Sequence, residues 1–246
     1  MYIKDINADL LKIDTSQMIE VDRLMMEDYK IGLIQMMENA GRCLAIVARE
    51  EFLSQDPEDK AICVLAGTGG NSGGAMVCAR RLSAWGAKVS LYVSADSSKM
   101  TKVPRHQYEI LERMGIDIHR GDALEDDINF DLIIDGVIGY SINGNPYGIA
   151  KYMIDWANNS RTKVLSLDSP SGLDLTTGWI HTPTISADAT VTLAMPKKGL
   201  FGEAAKEKVG QLYLGDISVP LKLYSENTLN LNSENIFRYS DILRIV

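Results

Sequence analysis

The sequence predicts an α/β fold, a mostly parallel central sheet with helices on both faces. Three observations predict it. Continuous apolar runs of strand length, such as Ala61-Ile-Cys-Val-Leu-Ala66, suit strands buried on both faces. Stretches of helical periodicity alternate with these runs, the signature of βαβ units. Two later runs end in aspartate, Asp135 and Asp168, and pass into turn-rich segments with glycine and proline.

The elements follow in order. Asp14-Thr-Ser-Gln17 has the spacing of a capping box and predicts a helix start. Met18, Val21, Leu24 and Met25 recur behind it at helical spacing. A second helix is expected over residues 31–53, with Ile34, Met37, Leu44 and Val47 on its apolar stripe. Met25, Met26, Met36 and Met37 read as core, or as a partner-facing surface, rather than a cofactor box. After the strand at residues 61–66, a glycine-rich loop spans 67–74. A helix over 76–85 follows, with Gly86 as its C-cap. A strand is expected at 88–93, a helix at 104–114 and a short strand at 116–119. The run 131–135 is another buried strand, followed by a loop holding Gly136, Gly139, Gly144, Pro146 and Gly148. Then come a helix at 150–158 and a strand at 164–168 that runs into Ser169-Pro-Ser-Gly172. Strands at 189–194 and 210–214 complete the series. Residues 1–222 read as one domain, and the Asn- and Ser-rich residues 223–246 as a C-terminal extension.

Composition bounds the function. Of 246 residues, 46% are hydrophobic and 24% charged, so a well-buried core is expected. The net charge of −8 argues against a nucleic acid or an anionic membrane as partner. It leaves phosphate binding open, because backbone N–H groups bind phosphate without a basic surface. Cys43, Cys63 and Cys78 form no CxxC pair and read as reduced thiols. The first residues include Lys4, Asp5 and Asp9, unlike a signal peptide, and no apolar stretch approaches the ~20 residues of a membrane span. A soluble cytoplasmic protein is expected.

Gly67-Thr-Gly-Gly-Asn-Ser-Gly-Gly74 carries the strongest signal. Five glycines between a buried strand and a helix exceed what a tight turn needs. They let a ligand approach the backbone at a helix N-terminus, which suits phosphate. The loop is no Walker A motif, since Ala75 stands where Lys is required. It fits the dinucleotide fingerprint poorly, because Ser72 takes the third glycine's place. Gly70-Asn-Ser72-Gly-Gly74 also matches a nucleophile elbow, with Asp135 or Asp168 and His181 as partners of a hydrolase triad. Asp135 and Asp168 would line the carboxyl edge of a parallel sheet beside the loop. Asn71, Asp135 and Ser171 offer oxygen ligands for a hard cation. Lys197-Lys198 suits either a phosphate or a solvated surface. His106, His119 and His181 are scattered and form no zinc pattern.

These motifs, in this order, resemble one family, the NAD(P)H-hydrate epimerases or YjeF N-terminal domain family, over residues 14–220. Met37-Glu-Asn-Ala-Gly41 is similar to its N-terminal helix motif. The glycine loop with Val77-Cys-Ala-Arg80 and Leu82 is similar to its loop and helix. Asp135-Gly-Val-Ile-Gly139 and Asp168-Ser-Pro-Ser-Gly-Leu173 resemble its later site segments, and Ala187-Asp-Ala-Thr-Val-Thr192 with Pro196-Lys-Lys-Gly199 also fits. The resemblance implies a three-layer α/β/α Rossmann-like fold, often a homodimer, and a potassium ion held by Asn71, Asp135 and Ser171. It implies that hydrated NADH or NADPH contacts Gly70, Asn71, Ser72, Gly73, Gly74, Gly139, Tyr140, Ser141, Ile142, Asn143, Gly144, Asn145 and Asp168.

The family's loop usually reads Asn-Asn-Gly-Gly-Asp, where this chain has Gly70, Asn71, Ser72, Gly73 and Gly74. The implied activity is epimerisation of the hydrated nucleotide at the carbon next to the ring nitrogen. That means loss of hydroxide, an iminium, and return of water to the other face, with acid and base assistance. Asp168 is the expected catalytic residue, an anion near the developing cation. A nucleotide-binding or scaffolding module of the same fold is the alternative.

Overall fold

In the computed structural model, which describes residues 3–7, 9–125 and 129–246, nine strands pair as one sheet. They are β1 (Lys4–Ile6), β2 (Ala61–Ala66), β3 (Lys88–Val93), β4 (Asp117–Arg120), β5 (Leu132–Gly136), β6 (Val164–Leu167), β7 (Ala189–Leu193), β8 (Gln211–Gly215) and β9 (Ile242–Ile245). The helices are α1 (Thr15–Arg23), α2 (Leu33–Val47), α3 (Gly70–Ala84), α4 (Lys102–Arg113), α5 (Gly148–Asn159), α6 (Glu203–Val209) and α7 (Leu221–Tyr224). The strand order is β1-β9-β8-β7-β6-β5-β2-β3-β4, and every pair is parallel except β8 with β9.

Alternate residues of one strand enter different cores. Ile62, Val64 and Ala66 of β2 pack with α2, α3 and α4, whereas Cys63 and Leu65 pack with α5. In β5, Leu132 and Ile134 face the first cluster and Ile133 the second. The period of two in a strand therefore feeds two helical layers, the expected three-layer α/β/α arrangement.

Most strand expectations agree with the structure to within a residue or two. β1 is not among the expected strands, and Met26 and Ile34, expected in the core and on the apolar stripe, are exposed. Two further elements differ in kind. The extension, residues 223–246, supplies β9, which inserts between β8 and β1 and pairs with both. The helix expected from residue 76 begins at Gly70, so most of the glycine loop is its first turns. Glycine is a poor helix former, and its reason here is packing. A Cβ at Gly73 would overlap Met37 Sδ, and one at Gly74 would lie 2.6 Å from Leu167 Cδ2.

The reciprocal contact lies on α2. A Cβ at Gly41 would overlap Gly74 O and Val77 Cβ. The backbone oxygen cannot rotate away, so α2 and α3 would have to separate. Gly41→Ala is expected to lower stability by about 1–3 kcal/mol in urea titration, as overpacked cores do. An unchanged midpoint would mean that the crossing is looser than its geometry.

Candidate active site

β2 marks the point where the chain reverses its direction across the sheet. β3 and β4 lie on one side of it, and β5, β6 and β7 on the other. At such a switch point the loops after neighbouring strands part and leave a crevice. A cavity of about 730 Å³ opens there, at the carboxyl ends of β2, β5, β6 and β7. Gly70, Asn71, Gly74, Gly139, Tyr140, Ser141, Ile142, Asn143, Gly144, Asn145 and Asp168 line it. Ser72 and Gly73 do not line the cavity.

Ser72 is fully buried, and its Oγ donates to Gly69 O at 2.6 Å. A serine nucleophile needs a base at its hydroxyl. His181 instead stands 3.3 Å from Asn145 Oδ1 through Nδ1, so the hydrolase triad is not assembled.

Asp135 and Ser171 do not line the cavity; they hold the loop after β5 that does. Asp135 is the penultimate residue of a fully buried strand, and its carboxylate takes four hydrogen bonds. Val137 N donates to Oδ1 at 3.2 Å and Ser171 Oγ to Oδ1 at 2.5 Å. Ser166 Oγ donates to Oδ2 at 2.8 Å and Ser171 N to Oδ2 at 2.9 Å. Burial pushes the Asp135 carboxyl above its ordinary value, against these hydrogen bonds. Ile138 N donates to Ser171 Oγ at 2.8 Å, so the same hydroxyl fixes the backbone of the β5 loop. Asn71 reaches across from α3 and donates through Nδ2 to Leu167 O at 3.0 Å. Its amide oxygen accepts no hydrogen bond from the described residues.

The donor set of Asn71, Asp135 and Ser171 is all oxygen, and among the described residues no basic group forms an ion pair with the buried Asp135. That chemistry fits a hard cation better than zinc or copper. Among the described residues, no group of three or more His, Cys, Asp and Glu could hold a metal.

The wall of the cavity joins Asp168 and Lys197, both named in the sequence reading, to Asp22, which that reading did not single out. Asp168 adopts φ of +61°, unusual for a non-glycine residue, and is 5% exposed. Lys197 Nζ donates to Asp168 Oδ1 at 2.6 Å, to Leu193 O at 2.8 Å and to Thr192 Oγ1 at 3.2 Å. Lys197 is wholly buried, so the Lys-Lys pair divides: Lys197 enters the site, and Lys198 pairs with Asp14 Oδ2 at 2.9 Å. Asp22 of α1 also lines the cavity, with Tyr140 Oη donating to its Oδ2 at 2.7 Å. Met18, Leu33, Met36 and Met37 add an apolar wall. The one sequence signal for Asp22 is its place four residues after the buried Met18, a charge beside the apolar stripe.

A family model described as YjeF-related protein N-terminus matches residues 33–199. This chain belongs to that family. Among relatives of this YjeF-related chain, an NAD(P)H-hydrate epimerase of Dehalogenimonas lykanthroporepellens is 35% identical, over 90% of this chain and 88% of its own length. An NAD(P)H-hydrate epimerase of Entamoeba histolytica is 31% identical, over 87% of this chain and 95% of its own. A bifunctional NAD(P)H-hydrate repair enzyme Nnr of Moorella thermoacetica is 31% identical over 89% of this chain, which spans only 42% of that protein. The crystal structure of yeast ynu0, YNL200c, has the same fold, with a TM-score of 0.79 and 23% identity, covering 96% of this chain and 100% of that one.

Proposed function

We propose that this YjeF-related chain is an NAD(P)H-hydrate epimerase, interconverting the R and S forms of hydrated NADH or NADPH in nicotinamide nucleotide repair. The observation that carries the reading is the buried Asp168–Lys197 pair facing a nucleotide-sized cavity at the switch point of the sheet. Its support is the identity to proteins named as epimerases along nearly their whole length.

The chain's own groups supply the chemistry. The N–H groups at the start of α3 suit the diphosphate of the nucleotide. Asp168 faces the reacting ring as an anion, held by Lys197, and stabilises the cation that forms when hydroxide leaves. The cavity walls keep the ring oriented for the return of water. A potassium ion belongs to the proposal, held by Asn71, Asp135 and Ser171, where it would offset the buried carboxylate. A homodimer and a cytoplasmic location are proposed with it, and three buried free thiols suit a reducing compartment. No helix of the described residues is long and apolar enough to cross a membrane.

The purified R epimer of hydrated NADH, coupled to an S-specific dehydratase, tests the reading. Turnover is expected well above spontaneous epimerisation, and faster with potassium than with sodium. No acceleration from the folded protein would leave a nucleotide-binding module. Equal rates in both salts would remove the ion from the proposal.

A further inference from the structure

We propose that Asp22 is a second catalytic carboxyl of this site, giving a proton to the departing hydroxyl while Asp168 receives one from the returning water. The inference rests on the epimerase reading and names the acid it lacks.

Epimerisation at one carbon needs proton transfer on both faces of the ring. One carboxylate tied to an ammonium supplies only one of these transfers. The cavity holds two carboxyls in different settings. Asp168 directly follows β6 and is ion-paired with the buried Lys197 at 2.6 Å. Asp22 comes from α1, outside the sheet, and forms no ion pair among the described residues. Tyr140 Oη donates to its Oδ2 at 2.7 Å, while Oδ1 accepts no hydrogen bond from the described residues and is free to carry a proton. Burial pushes the Asp22 carboxyl upward, and the charge of Asp168 pushes the same way, against Tyr140 and Lys197. Two carboxyls whose surroundings differ in this way divide into acid and base.

The step balances. The bond from the ring carbon to its hydroxyl oxygen breaks as that oxygen takes the Asp22 proton and leaves as water. The ring-nitrogen lone pair forms the C=N bond of the iminium. Water then adds to the opposite face, its extra proton passes to Asp168, and the nitrogen regains its lone pair. Nothing is oxidised or reduced. The carboxyls end with exchanged protonation, ready for the reverse reaction or reset by proton exchange with solvent. Tyr140 positions Asp22 by fixing Oδ2.

The test follows the R epimer in H₂¹⁸O, reading epimerisation and ¹⁸O uptake at the reacting carbon together. Asp22→Asn keeps the shape and the acceptor for Tyr140 but cannot give an acidic proton. Both rates are expected to fall about 10²–10⁴-fold, with nucleotide affinity changed less than about threefold and an unaltered melting curve. Asp22→Glu should recover part of the rate, which a merely structural role would not require. Tyr140→Phe should lower both rates about tenfold, and it carries the test if Asp22→Asn does not fold.

Asp22→Asn within about threefold of the wild-type rate, or Tyr140→Phe unchanged where the Asn variant does not fold, overturns the role of Asp22 and leaves the epimerase reading standing. A wild-type rate no faster than the spontaneous one overturns the epimerase reading, and this inference with it.

Discussion

Asp168→Ala is expected to lower stability by about 3–5 kcal/mol and to slow epimerisation about 10²–10⁴-fold. The stability loss comes mainly from Lys197, with Leu193 N and Thr192 Oγ1 also losing the carboxylate as acceptor. Lys197 is wholly buried, and removing the carboxylate leaves its ammonium with only Leu193 O and Thr192 Oγ1. A buried charge without its counter-charge costs far more than the pair contributes. Alanine would also have to hold φ of +61°, which asparagine tolerates better. Asp168→Asn should therefore be more stable than Asp168→Ala and nearly as inactive.

The double variant Asp168→Ala/Lys197→Met separates the two effects. It removes both charges and fills the space, so most of the lost stability should return while activity does not. Chemical denaturation and the coupled assay check both. Asp168→Ala at wild-type rate would remove Asp168 from the chemistry. A double variant no more stable than the single one would mean that the pair is not the cause of the loss.

Asp135→Ala is expected to cost about 2–6 kcal/mol, because two buried N–H groups, Val137 N and Ser171 N, lose their acceptor at about 1–3 kcal/mol each. The hydroxyls of Ser166 and Ser171 lose the same carboxylate but can rotate toward other acceptors. The functional loss follows from position. Val137, Ile138 and Gly139 line the cavity, and Asp135 with Ser171 holds their backbone. A shift of about 1 Å there is enough for a loss of about 10²-fold in rate. Asp135→Asn should fall between, since its amide offers one acceptor and turns a donor toward groups that also donate. Urea midpoints and rates for both variants check the order. Equal stability of all three forms would show that the carboxylate is not the hub of the loop after β5.

The parts of this protein that lie on one continuous stretch of chain were legible. β2 and β3 have the bounds expected of them; β2 is a run buried on both faces, which carries its burial in its composition, and β3 is flanked by Gly86 and Ser94. The capping box at Asp14 forms as spaced, with Gln17 N donating to Asp14 Oδ1 at 3.0 Å. Asp168 and Asn71 stand on the cavity because strand ends and the following turn reach the same sheet edge in a parallel fold.

The rest depended on contacts between distant residues. β1 and β9 are three and four residues long and pair across nearly the whole chain, so neither has a local pattern strong enough to announce it. The first turns of α3 look like a loop until Met37 and Leu167 show why no side chain fits at Gly73 and Gly74. Lys197 and Lys198 are identical neighbours in sequence, and only the end of β7 decides that one is buried against Asp168 and the other reaches Asp14. Asp22 looks like an ordinary polar position on α1 until the fold brings Tyr140 to it. The sequence by itself therefore determined the α/β class, the glycine-rich entry to α3 and the aspartates at the strand ends, because periodicity and turn chemistry are local. Only the tertiary structure decided which charges are buried and paired, because burial and pairing depend on residues far apart in the chain meeting in one cavity.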